Sequence, residues 1–97
     1  MSKTRDLWWG YIRRIMMEYP HCKPFENDAV TAAIKKTSLM ESGVERLKVI
    51  GMVFFKKTHT LAGAALVIPC GYETAKRWQQ DFIREVARNF SCEKLKE

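Results

Sequence analysis

The sequence predicts an all-α domain of about five helices. Three observations carry that expectation. In the long segments, apolar residues recur at three- and four-residue spacing, the period of one helix face. Those segments are separated by breakers: Pro20, Ser42-Gly43 and Pro69-Cys70-Gly71. No stretch alternates apolar and polar residues as a half-buried strand would; Val49-Ile50 and Val53-Phe54-Phe55 have strand propensity, but the spacing from Val44 to Phe55 suits a helix better. The 97 residues, 46% hydrophobic and 29% charged, make one domain over 1–97, large enough for a core but not for a large surplus of stability.

The first helix is expected over residues 4–19, with Leu7, Trp8, Tyr11, Ile12, Ile15, Met16 and Tyr19 on its apolar stripe. Thr4 or Asp6 is the expected N-cap, and Pro20 stops the helix by disfavouring helical backbone at Tyr19. Trp9 falls at the stripe edge, where it could meet a partner. Residues 21–27 read as a loop, and Asp28 as the N-cap of a second helix over 29–39 that buries Val30, Ala33, Ile34 and Thr37. Ser42-Gly43-Val44-Glu45 has capping-box spacing for a third helix reaching Phe55. Gly51 inside it suggests a close helix approach. Residues 56–60 form a polar connection, and Thr60 caps a short fourth helix, Leu61–Val67, rich in small residues. The longest helix is expected at Tyr72–Phe90, with Ala75, Trp78, Phe82, Ile83, Val86, Ala87 and Phe90 facing the core. Residues 1–41 thus form an N-terminal helical part, 42–90 a second helical part and 91–97 a tail.

Composition excludes several classes. No apolar run approaches the ~18 residues of a membrane span. The N-terminal stretch has charges among its apolar residues and no cleavage site, which argues against a signal peptide and for a cytoplasmic protein. Cys22, Cys70 and Cys92 cannot all pair and have no ligand spacing; with His21 and His59 they give no zinc motif, so no metal and no cofactor are expected. His59 with Asp81 or Glu85 lacks the third member of a catalytic site, and no glycine-rich phosphate loop is present; catalytic residues are expected to be none. The charge is more informative. Seventeen Lys and Arg against eleven Asp and Glu give +6, and no acid lies between Glu45 and Glu73. Such a stripe favours a polyanion.

A short helix, a tight turn and a longer basic amphipathic helix describe a helix-turn-helix. The first helix would be 60–67, the turn 68–71 and the second helix Tyr72–Phe90. Residues at the N-terminal end of the second helix are those that reach base edges: Tyr72, Glu73, Thr74, Lys76, Arg77 and Gln80. Arg77 or Lys76 can donate to guanine, Glu73 can accept from cytosine and Thr74 can meet a thymine methyl. Lys56, Lys57, His59, Thr60 and Arg84 are the candidates for phosphate contacts. Arg84 and Arg88 could equally be paired with Asp81 and Glu85. Trp78 lies on the buried stripe, so a core role is expected for it rather than base stacking.

The segments Glu45-Arg46-Leu47-Lys48-Val49-Ile50, Lys56-Lys57-Thr58-His59-Thr60-Leu61-Ala62-Gly63-Ala64-Ala65 and Tyr72-Glu73-Thr74-Ala75-Lys76-Arg77-Trp78 resemble the RinA/ArpU-type phage transcriptional regulators. The helix-turn-helix in turn resembles region four of bacterial sigma factors, which reads the −35 promoter element. The resemblance covers roughly residues 42–90; Trp8-Trp9-Gly10-Tyr11-Ile12 and Tyr19-Pro20 share it less distinctively. It implies a sequence-specific double-stranded DNA-binding regulator that activates phage or prophage late genes inside a bacterial host cell. It also implies that residues 58–61 open the supporting helix and 72–77 form the reading end. Set against that resemblance, the sequence is expected to depart from longer family members by lacking their extended N-terminal region. RNA polymerase and a second copy of the chain are candidate protein partners; a membrane is not. The competing expectation is an interaction module that docks on RNA polymerase or another host protein with little DNA affinity of its own, through the aromatic N-terminal helix.

Overall fold

The most strongly amphipathic segment of the chain becomes the helix around which the others are arranged. In a computed structural model, which describes residues 2–90 and the side chains of residues 9–90, five α-helices follow in order: α1 (Ser2–Glu18), α2 (Pro24–Ser38), α3 (Gly43–Ile50), α4 (Leu61–Val67) and α5 (Tyr72–Phe90). α3 runs on into one π-helical turn, Gly51–Phe55. No strand occurs among the described residues. α5 packs against all four other helices.

The stripe on α5 serves two clusters. Phe82, Ile83 and Val86 meet Ile12, Ile15 and Met16 of α1, Ala29, Val30 and Ala33 of α2, and Ile50 and Phe54. Nearer its start, Ala75 joins Val49 of α3 and Ala64 and Ala65 of α4, with Trp78 packed alongside. Each large apolar side chain buried this way contributes roughly 1.5–3 kcal/mol. Polar ties fix the frame. The Tyr11 hydroxyl donates to Oε2 of the buried Glu26 at 2.6 Å, joining α1 to α2. Asn89 donates through Nδ2 to the Ala29 carbonyl at 2.9 Å, joining α5 to α2. Burial, and then the bond to Glu26, push the Tyr11 hydroxyl pKa up to about 12.

Several local expectations are corrected. α1 already includes residues 2 and 3, so neither Thr4 nor Asp6 is its N-cap; the stripe of Ile12, Ile15 and Met16 is buried as expected, while the side chains of Leu7 and Trp8 lie outside the described residues. Residues 24–27 are helical, not loop. Pro24 supplies the first turn, where its missing N–H costs nothing, and Glu26 Oε1 accepts from the Lys23 N–H at 3.1 Å. That local pairing starts α2 upstream of Asp28, which stands in the helix interior. Its buried face is nonetheless Val30, Ala33 and Thr37, with Ile34 half-buried.

Ser42 is the residue before α3, but it does not cap through its side chain. It is left-handed, with φ 60° and ψ 28°, whereas a capping hydroxyl needs extended backbone. The reason is the tightness of the corner: a Cβ on Gly43 would lie 2.6 Å from the Thr37 carbonyl oxygen. Close approach therefore occurs at Gly43 and not at Gly51, where an added Cβ would meet nothing within 4 Å. The expected α-helix to Phe55 becomes π-helical from Gly51, with Lys56 N–H donating to the Gly51 carbonyl at 2.7 Å. Val53, Phe54 and Phe55, three consecutive residues, all reach the first cluster, which a narrow α-helical stripe serves poorly. The Phe55 ring packs at a tilt against Tyr19, centroids 5.1 Å apart, and edge-on to Phe82 at 6.3 Å. The tail, 91–97, lies outside the described residues.

Candidate nucleic-acid interface

The candidate interface is the α4–turn–α5 unit, and its local causes are visible. Thr60 has extended backbone, and its Oγ1 accepts from the Gly63 N–H at 3.1 Å, so α4 starts as the sequence predicts. α4 holds to α5 through Ala64 and Ala65 against Ala75, where small side chains let two backbones come close. The helix ends at Ile68, which is extended, and Gly71 turns the chain at φ +82°, a conformation that favours glycine. α5 then begins at Tyr72 as a separate helix.

Glu73, Arg77, Gln80 and Arg84 recur at four- and three-residue spacing and form one line along α5, opposite the core stripe. Glu73, Lys76, Arg77 and Gln80 line a single shallow hollow on the surface. Lys76 and Arg77 are exposed, and among the described residues neither has an ion-pair partner. Tyr72 is 49% exposed at the head of the helix. Thr74 and Gln80 are both half-buried; Gln80 lies on this line and Thr74 lies off it. Trp78 is packed in the second cluster, with the Arg46 guanidinium 5.7 Å from its ring centroid.

The phosphate candidates are dispersed. Lys56, Lys57, His59 and Thr60 are all exposed on the connection before α4. His59 Nδ1 lies 2.9 Å from Thr58 Oγ1, and the N–H groups of Thr58 and His59 both donate to the Met52 carbonyl of the π-turn. Lys57, at φ 56°, lines a different hollow with Met17, Glu18, Tyr19, Pro20, His21 and Phe55. Arg84 shares the line of Arg77 but is engaged: its Nη1 is 3.6 Å from Asp81 Oδ1, and its guanidinium lies 5.8 Å from the Trp9 ring. Arg88 is paired with Glu85 at 3.5 Å.

One constellation was not legible in the sequence. Arg46, which falls within the acid-free stretch between Glu45 and Glu73, turns inward. Its Nε donates to the Glu41 carbonyl at 3.0 Å, and its Nη1 to Asp81 Oδ2 at 3.3 Å. Thirty-five residues separate Arg46 from Asp81, and no local signal announces a pair at that distance. Trp9, expected at a stripe edge, is half-buried beside Arg84.

Among the described residues no group of three His, Cys, Asp or Glu side chains stands where it could hold a metal ion. Cys22 donates to Asn27 Oδ1 at 3.0 Å, and burial raises its thiol pKa; Cys92 lies outside the described residues. No helix among those described is long and apolar enough to cross a membrane. Comparison with known protein families, with curated proteins and with solved structures found no match.

Proposed function

We propose that the chain is a sequence-specific double-stranded DNA-binding transcription regulator that lays the N-terminal half of α5 in the major groove. The observation that carries this reading is the presentation of Glu73, Lys76, Arg77 and Gln80 around one hollow, on a helix fixed by α4 and started afresh after Gly71. A groove about 12 Å wide admits one such helix, and the four side chains include a bidentate donor, a point cation, an acceptor and an amide. Lys56, Lys57, His59 and Thr60 supply the expected backbone contacts from the preceding connection. The resemblance to RinA/ArpU-type regulators supports activation of phage or prophage late genes as the setting.

The test is binding of a labelled duplex, chosen by selection, at increasing salt. Sequence-specific binding should persist against random competitor. Replacing one phosphate-binding cation with a neutral residue should make the slope of log K against log salt shallower by about 0.9.

A second reading is favoured by one feature. From Thr58 to Tyr72 the chain has no Asp, Glu, Lys or Arg, and Leu66, Val67 and Tyr72 are exposed there. That uncharged surface suits a protein partner such as RNA polymerase, either beside DNA or in place of it. Polymerase capture that survives Arg77→Ala and is abolished by Leu66→Ser would support the interaction module.

A further inference from the structure

Two arginines share one carboxylate on α5, and they are not alike. Asp81 accepts from Arg46 through Oδ2 at 3.3 Å and faces Arg84 through Oδ1 at 3.6 Å. The Arg46 side chain is 16% exposed and held from three sides: by Asp81, by the Glu41 carbonyl and by the Trp78 ring. It clamps α3 to α5. The Arg84 side chain is 49% exposed. It stands seven residues after Arg77 and four after Gln80, on the same line of α5. Its other neighbour, the Trp9 ring, attracts a cation without neutralising it. A phosphate oxygen offers what Asp81 Oδ1 already offers, an anionic acceptor for a guanidinium.

From this geometry we propose that Asp81 is an internal phosphate mimic that restrains Arg84 and so lowers the affinity of the protein for the DNA backbone at every sequence. The inference rests on the DNA-binding reading above and adds a regulatory residue to it. In the free protein Arg84 is held by Asp81 and laid on Trp9. On a duplex the phosphate takes the place of Oδ1, while Asp81 keeps Arg46 as its partner and is not left as an unpaired charge. Because backbone contacts carry no sequence information, restraining one of them raises the share of binding that depends on the reading end. An acid amid the basic face is then a device for discrimination.

The test is a double-mutant cycle of Asp81→Asn and Arg84→Gln, with affinity for a random duplex measured by fluorescence anisotropy over a range of salt. Asp81→Asn keeps the shape and one acceptor for Arg46. It should bind random duplex about two- to five-fold tighter than the parent, the release of one exposed ion pair. Its salt slope should match or exceed that of the parent, and in the Arg84→Gln background the same change should give no gain. An equal gain in both backgrounds is a general effect of removing a negative charge and overturns the inference, as does the absence of any gain. If Asp81→Asn fails to fold, Asp81→Ser takes its place in the cycle and is read by the same outcomes; an Arg84→Gln slope unchanged from that of the parent refutes the inference in either case. A parent that binds no duplex at low salt overturns the DNA reading itself, which separates that failure from the failure of this inference.

Discussion

Arg77→Ala separates reading from folding. Arg77 is exposed, lies on the face of α5 opposite Phe82 and Val86, and has no ion-pair partner among the described residues. Removing it leaves no cavity and no orphaned buried charge, so the change in folding stability should stay within about 0.5 kcal/mol. If its guanidinium contacts a guanine edge, its loss costs roughly 1–3 kcal/mol of binding. At 1.4 kcal/mol per tenfold, that is about 5- to 140-fold in Kd. The assay is anisotropy with the preferred duplex and a set of single-base variants of it, alongside a thermal melt of each protein. The parent should discriminate at the contacted base pair, and the variant should bind the matched and altered duplexes at that position alike. A variant that binds as the parent does, with discrimination intact at every position, refutes the assignment of this face. A variant that loses stability and affinity together shows that Arg77 supports the fold.

Three further outcomes concern the cap, the corner and the part-buried Tyr11 hydroxyl. Thr60→Ala removes the cap on the Gly63 N–H and should cost about 1 kcal/mol in denaturant unfolding, with Thr60→Ser retaining most of it. Gly43→Ala places a methyl group 2.6 Å from a backbone carbonyl at the α2–α3 corner; a loss of about 1–3 kcal/mol is expected, and an unchanged midpoint would show that the corner can open. The raised pKa of Tyr11 makes the folded state hold its proton above pH 10, where the unfolded state releases it. The stability it contributes is complete below pH 10 and is lost as pH rises towards 12. Tyr11→Phe should therefore flatten the fall in stability between those values, as measured by denaturant midpoints across that range.

How far the sequence could be read depended on whether the determinant was local. The bounds of α4 and α5, the Thr60 cap and the turn at Gly71 were legible, because a cap, a breaker and a period of 3.6 are written within a few residues of each other. The start of α2 was misplaced, since Pro24 and Glu26 offered a competing local start that outweighs Asp28. Ser42 had the spacing of a capping box, but the tight packing at Gly43 sets its backbone instead. The inward turn of Arg46 depends on Asp81 and Trp78, which only the folded chain brings near. For the same reason the basic stripe was visible in the sequence, while the inward turn of Arg46 out of it was not; the pairing of Arg84 with Asp81, three residues away, was one of two readings the spacing left open.

Selection of bound duplexes from a random pool, followed by salt titration of the best one, addresses the function most directly. A reproducible motif retained against random competitor is the predicted result, and it should weaken when Arg77 is replaced. Binding without a motif that vanishes steeply with salt, or no binding even at low salt, would contradict a reading role for the Glu73–Lys76–Arg77–Gln80 face.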